Sequence, residues 1–201
     1  MIWQAVLSGF LLGGSLIVAI GAQNAFVIRQ GVLNAHVFWV CLFCTISDAI
    51  LIWAGVFGLG ALVKALPWFV PVLTYGGAVF LLWYGVKALL RALNPTGKGA
   101  DGETAGTLKA ALLACAGFTL LNPHVYLDMV ILIGSIANAR PHGEQLSFAT
   151  GASFASLVWF FGLGYGARAI GPWLGRPTVW RGIDFCIAAI MLLLAFKLLT
   201  G

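Results

Sequence analysis

Six apolar stretches, near residues 4–26, 37–62, 68–90, 108–136, 147–167 and 179–199, limit the folds open to this chain more than any other feature. A membrane-spanning helix needs about 20 apolar residues, because it rises 1.5 Å per residue through a hydrocarbon layer about 30 Å thick. All six windows approach or exceed that length. None shows the ten-residue alternation of a transmembrane β-barrel strand. Charged residues make up 8% of the chain, against about 25% in soluble domains, and the mean hydropathy is +1.01. A chain so poor in charge cannot cover a soluble surface, so it is predicted to be an all-α integral membrane protein.

The start, Met1-Ile2-Trp3-Gln4, lacks the basic segment that precedes a cleavable signal, so the first stretch is expected to be retained. The formal charge of +5 could suggest a nucleic-acid partner, but its placement speaks for orientation. Lys87, Arg91, Lys98 and Lys109 surround the third connection, Arg168, Arg176 and Arg181 the fifth, and Arg29 the first. The opposite side receives Lys64, Arg140 and Lys197. This bias of eight against three puts the 91–107 connection in the cytoplasm and, for six full crossings, both termini outside. The expected setting is a bacterial inner membrane with lipid around the helices and no nucleic acid; assembly into a homo-oligomer is left open.

The longest polar stretch, Asn94 to Thr104, reads as a linker joining two halves of a single membrane domain, about 1–92 and 108–201 with linker 93–107. Short matches relate the halves in a common order. Phe57-Gly58-Leu59-Gly60 recurs as Phe161-Gly162-Leu163-Gly164, and Lys87-Ala88-Leu89-Leu90 is answered by Lys197-Leu198-Leu199. Three spans per half is an odd number, so the second copy would be inverted. The expectation is therefore six transmembrane helices as two inverted three-helix repeats, an architecture of secondary transporters with the site at the repeat interface.

Polar residues interrupt this apolar background at three places. Leu121-Asn122-Pro123-His124-Val125-Tyr126-Leu127-Asp128 breaks the fourth stretch, Gly21-Ala22-Gln23-Asn24 the first, and Asp48 stands inside the second. Proline removes a backbone donor and clashes with the preceding turn, so Pro123 should interrupt its helix. The freed backbone groups are tolerable at that depth only against protein or a water-filled cavity. His124 and Asp128, four apart, share a helix face, where they could pair, relay a proton or help hold a cation. Asp48 has no basic residue within one helical turn, and an aspartate at mid-span costs about 2.5–3.5 kcal/mol on insertion scales. A transported cation or proton is a natural partner for it. Asp184, three residues after Arg181, reads instead as an interfacial ion pair.

Other features read as structural. Gly9 with Gly13, and Gly162 with Gly166, are GxxxG pairs that suit close helix packing. Cys41 and Cys44 form a CxxC, but at lipid depth with no charge nearby to activate a thiol; Cys115 and Cys186 read as packing. Trp3, Trp68, Trp173 and Trp180 lie near span ends, as an aromatic belt requires, whereas Trp53, Trp83 and Trp159 lie deeper, where they could line a cavity or simply pack. One His and one Asp do not make a transition-metal site.

Four motifs in order, Gly21-Ala22-Gln23-Asn24-Ala25-Phe26-Val27-Ile28-Arg29-Gln30-Gly31, Ile46-Ser47-Asp48, Leu82-Trp83-Tyr84-Gly85 and Leu121 to Asp128, resemble the LysE family of amino-acid exporters. The likeness covers essentially the whole chain and is closest to the arginine exporter branch. It implies export of a basic amino acid, chiefly L-arginine with lysine or canavanine, by a protein that is not an enzyme and has no cofactor beyond the proton-motive force. The family's intramembrane aspartates match Asp48 and Asp128, and its Asn-Pro motif matches Asn122 and Pro123. Gln23, Asn24, His124 and Tyr126 complete the candidate substrate- and proton-binding set. The family pattern has Gly-Pro-Gln-Asn where this chain has Gly21-Ala22-Gln23-Asn24, so a gentler break is expected in the first helix. Three rival readings are an exporter of other amino acids or small metabolites, a polar-lined channel, and a thiol carrier using Cys41 and Cys44.

Overall fold

The computed structural model describes residues 2–19, 21–66, 68–93, 106–141, 143–174 and 177–200. The linker expected at 93–107 lies largely outside the described residues. Within them the fold is all-helical: α1 (Ile2–Ile17), α2 (Ala22–Val32), α3 (Val37–Leu59), α4 (Gly60–Ala65), α5 (Phe69–Leu93), α6 (Leu108–Leu120), α7 (Pro123–Asn138), α8 (Glu144–Ile170) and α9 (Pro177–Thr200).

Four helices, α3, α5, α8 and α9, are long and apolar enough to cross a membrane by themselves. Two bent pairs, α1 with α2 and α6 with α7, pass the same test together, giving up to six spans. The first and fourth apolar stretches are thus each two helices. Large apolar side chains such as Leu11, Ile50, Val79, Leu193 and Phe196 are exposed on the outer faces. Lipid tails are as apolar as leucine, so such a surface is at home in a bilayer.

Small residues let the backbones approach. A side chain at Gly9 would collide with the Phe148 carbonyl of α8, and one at Gly13 would lie 3.0 Å from Ala152. Gly162 and Gly166, read as a packing pair, face open space instead. The glycines with which α8 meets its neighbours are Gly151, against Val6, and Gly164, against Cys41. A spacing of four fixes a common face but not which way that face points.

Contacts also fix relative direction. Along α8, Phe148 and Ala152 meet Gly9 and Gly13 of α1; further on, Trp159, Gly164 and Gly171 meet Asn24, Gly31 and Val32 of α2 and its end. The first broken pair therefore follows α8 along most of its length in the same direction. In the same way α6 and α7 follow α3, with Cys115 beside Cys44 and Val130 beside Gly55. By contrast α5 and α9 run antiparallel, since Gly85 meets Leu192 while Arg91 meets Asp184. Where α3 and α7 touch, α7 widens into a π-helical turn at Tyr126–Leu132 and α3 kinks within Gly55–Leu59. Gly58, with φ +93°, supplies the left-handed residue at that kink.

Candidate functional site: a polar cavity between two broken helices

The break between α1 and α2 bends the chain by 84°, more than the 64° between α6 and α7, although Ala22 replaces the expected proline. The gentler break expected there is not what forms. The side chain of Asn24 explains the difference. Its Nδ2 donates to the carbonyls of Ile17 and Ala19, both at 2.9 Å, satisfying acceptors that the end of α1 leaves open. Its Oδ1 accepts from the Trp159 indole Nε1 at 3.2 Å. A buried asparagine thus stabilises an end that a proline would only have forced. The same bonds occupy both Nδ2 hydrogens of Asn24.

The second break follows its sequence more directly. Asn122 caps α7, its Oδ1 accepting from the His124 backbone N–H at 3.1 Å, and Pro123 occupies the first helical position, where its missing donor costs nothing. The Tyr126 hydroxyl donates to the Leu120 carbonyl at 3.0 Å, closing the open end of α6. Pro123 and Tyr126 therefore shape the backbone and do not line the cavity between the breaks. The π-helical turn that follows carries Asp128. Such widened turns are frequent at functional sites.

Between the two breaks lies a cavity of about 310 Å³. Of the residues expected from sequence, Gln23, Asn24, Asp48, Asn122, His124 and Asp128 line it. That volume is near the lower end of small-molecule sites, about 300–1,000 Å³, and suits one small metabolite. Asp48 is 3% exposed and accepts from the Ser156 hydroxyl at 3.0 Å. Among the described residues no hydrogen bond joins His124 to Asp128, so both remain available to the cavity. The Gln23 Nε2 is buried without a partner, an unsatisfied donor in the wall. Buried amides in native structures are rarely left so, which marks this one as a candidate ligand contact.

Sequence reasoning did not single out Ser156 or Lys197 for the site and left Trp159 between cavity lining and packing; all three support or line the site. Lys197 had been counted as an orientation charge and as the counterpart of Lys87 in the repeat. Cys41 donates to the Phe160 carbonyl at 3.1 Å, and the Cys44 and Cys115 sulfurs lie 3.9 Å apart, all three buried. Cys186, read as packing, is exposed.

One end of the cavity is closed in layers. Phe118, in the cavity wall, packs against Phe26, Tyr84 and Phe80 with ring centres 5.3, 4.9 and 4.9 Å away. Beyond Tyr84, Asp184 Oδ1 receives Arg29 Nε at 3.3 Å and Arg91 Nε and Nη2 at 3.2 and 3.1 Å. The interfacial pair expected from the Arg181 spacing is therefore replaced. Asp184 is 8% exposed and ties α9 to α2 and α5, while Arg181 donates to the Ala92 carbonyl at 3.1 Å.

A bundle of apolar helices that encloses a polar cavity between two broken ones is the build of a membrane translocator, and the protein is a multi-pass protein of the inner membrane. Residues 14–201 match the LysE type translocator family, and the chain belongs to it. It is 42% identical over 200 residues to a protein of Aeromonas salmonicida that carries the provisional name amino-acid transporter YggA, covering 99% of this chain and 97% of that one. It is 38% identical over 191 residues to the arginine exporter protein ArgO of two Salmonella strains, of enteritidis PT4 and of gallinarum, covering 94% of this chain and 90% of each. No solved structure matches the chain.

Proposed function

We propose that the protein exports basic amino acids, L-arginine first and lysine or canavanine with it, in exchange for protons. The observation that carries this reading is the convergence of Asp48 and Asp128 with both helix breaks on one cavity of amino-acid size. Two carboxylates facing one cavity at membrane depth favour a cationic ligand. The naming of the Salmonella relatives as arginine exporters points the same way.

Moving a cation outward against an inside-negative potential costs about 2.3 kcal/mol per 100 mV, so net export needs a coupled ion. If Asp48 and Asp128 hold either the cationic substrate or protons, but never both, exchange follows from competition alone. The substrate carboxylate would then meet donors around Gln23 and Asn122. An inverted repeat supplies the movement. The shared direction of α1 and α2 with α8, and of α6 and α7 with α3, together with the antiparallel α5 and α9, is the pattern that two inverted three-helix halves would produce. Rocking one half against the other would alternate access to the cavity. The aromatic layer and the Asp184 pairs, on the end rich in basic residues, form the cytoplasmic closure in this reading, which favours alternating access over an open pore. Asp48→Asn and Asp128→Asn should each abolish arginine export with protein levels in the membrane unchanged. Wild-type export by either variant would remove that aspartate from the mechanism.

A further inference from the structure

The cavity wall holds one lysine besides its two aspartates. A lysine facing a site for cations would repel them unless it meets an anion. We propose that Lys197 recognises the substrate's α-carboxylate, and that it makes the protein selective for intact amino acids over the amines formed from them by decarboxylation. The inference rests on the reading of the cavity as a basic amino-acid site and names the residue that reads the one negative charge of that substrate.

Three observations support it. Lys197 lies on α9, Asp48 on α3 and Asp128 on α7, so the charges of the wall are distributed over separate elements. A basic amino acid carries an ammonium, a carboxylate and a side-chain cation; two aspartates and one lysine are the complementary set. Lys197 makes no ion pair or hydrogen bond among the described residues, whereas Lys87, at the matching place in the first half, packs its ammonium 4.0 Å from the centre of the Trp83 ring. Finally, the other donors expected to meet the carboxylate are reduced, because Asn24 donates both its amide hydrogens to Ile17 and Ala19. Gln23, Asn122 and Lys197 remain, and of these only Lys197 brings charge.

The test uses the purified full chain in proteoliposomes, with counterflow of radiolabelled L-arginine and agmatine, which is arginine without its carboxylate, as competitor. Wild-type protein should bind agmatine at least about tenfold more weakly than arginine. Lys197→Gln should raise the arginine KM about tenfold while agmatine inhibition stays within about twofold, so that the preference disappears. Lys197→Arg should restore it. A tenfold change is about 1.4 kcal/mol, close to the lower limit for a hydrogen bond to a charged group, as suits an exposed lysine. Equal affinity of the wild type for arginine and agmatine would overturn the proposal without any variant. So would an unchanged arginine KM in Lys197→Gln, or an equal change for both ligands, which is the result of a lysine that only anchors a span end to lipid. Absence of arginine counterflow in the wild type would instead refute the basic amino-acid reading itself.

Discussion

Removing Asp184 should open the closed end of the cavity, and its cost can be worked from the pairs it makes. Asp184→Ala leaves the Arg29 guanidinium, with a side chain only 6% exposed, beside Arg91 and with no counter-charge. Stripping one partner from a buried ion pair costs about 3–5 kcal/mol, most of it the stranded charge. The Arg91 side chain is 31% exposed, so its share falls toward the 0–1 kcal/mol of surface pairs. About 3–4 kcal/mol is therefore expected for Asp184→Ala. Arg29→Ala should also destabilise, but the double variant removes both charges and should cost about 2–3 kcal/mol less than the sum of the two singles. Equilibrium unfolding in detergent micelles measures the cycle. A parallel readout uses Cys115, fully buried here, as the sole thiol: in Asp184→Ala it should react faster with a membrane-impermeant maleimide added from the cytoplasmic side. Effects that add to within about 0.5 kcal/mol would mean that the two residues are not coupled, and unchanged labelling would mean that the pairs do not close the path.

Gln23→Ala should leave thermal stability unchanged or raise it, because it removes an unsatisfied buried donor, while transport rates fall; a loss of stability in step with activity would make Gln23 structural. Trp159→Phe removes the hydrogen bond to Asn24 and should cost about 1 kcal/mol in unfolding measurements; no loss would mean that the break between α1 and α2 holds without it. Gly9→Ala places a methyl against the Phe148 carbonyl and should destabilise the α1 and α8 contact by about 1–3 kcal/mol, read as a lower unfolding midpoint and lower yield. A variant without Cys41, Cys44, Cys115 and Cys186 should keep transporting, since the first three are buried packing residues and Cys186 is exposed; loss of transport with the fold intact would revive the thiol reading.

The sequence exposed what depends on local contrast. A proline or aspartate among apolar residues is conspicuous, so both breaks, Asp48 and Asp128 could be found without coordinates. Local propensity told less about how each break is held. Ala22 suggested a gentle bend because the signal sought was a proline, whereas the fold relies on the Asn24 side chain reaching back seven residues to Ile17. Long-range pairs were hidden for a related reason. Arg29 and Asp184 are 155 residues apart, and the nearby Arg181 offered a plausible but unused partner. Lys197 was read as an orientation charge and as the counterpart of Lys87, neither of which says anything of the face it occupies on α9. Gly162 and Gly166 show the same limit, since their spacing fits a packing motif that the orientation of α8 leaves unused.

Proton exchange for arginine through Asp48 and Asp128 is tested most directly in proteoliposomes that contain only this protein. Vesicles preloaded with radiolabelled L-arginine are given an external medium more acidic than the lumen, with the membrane potential clamped. Antiport predicts arginine efflux that accelerates with the imposed gradient, alkali-directed proton entry in step with it, and loss of both in Asp48→Asn and Asp128→Asn. Arginine efflux that is indifferent to the pH gradient, with no proton movement, would contradict it.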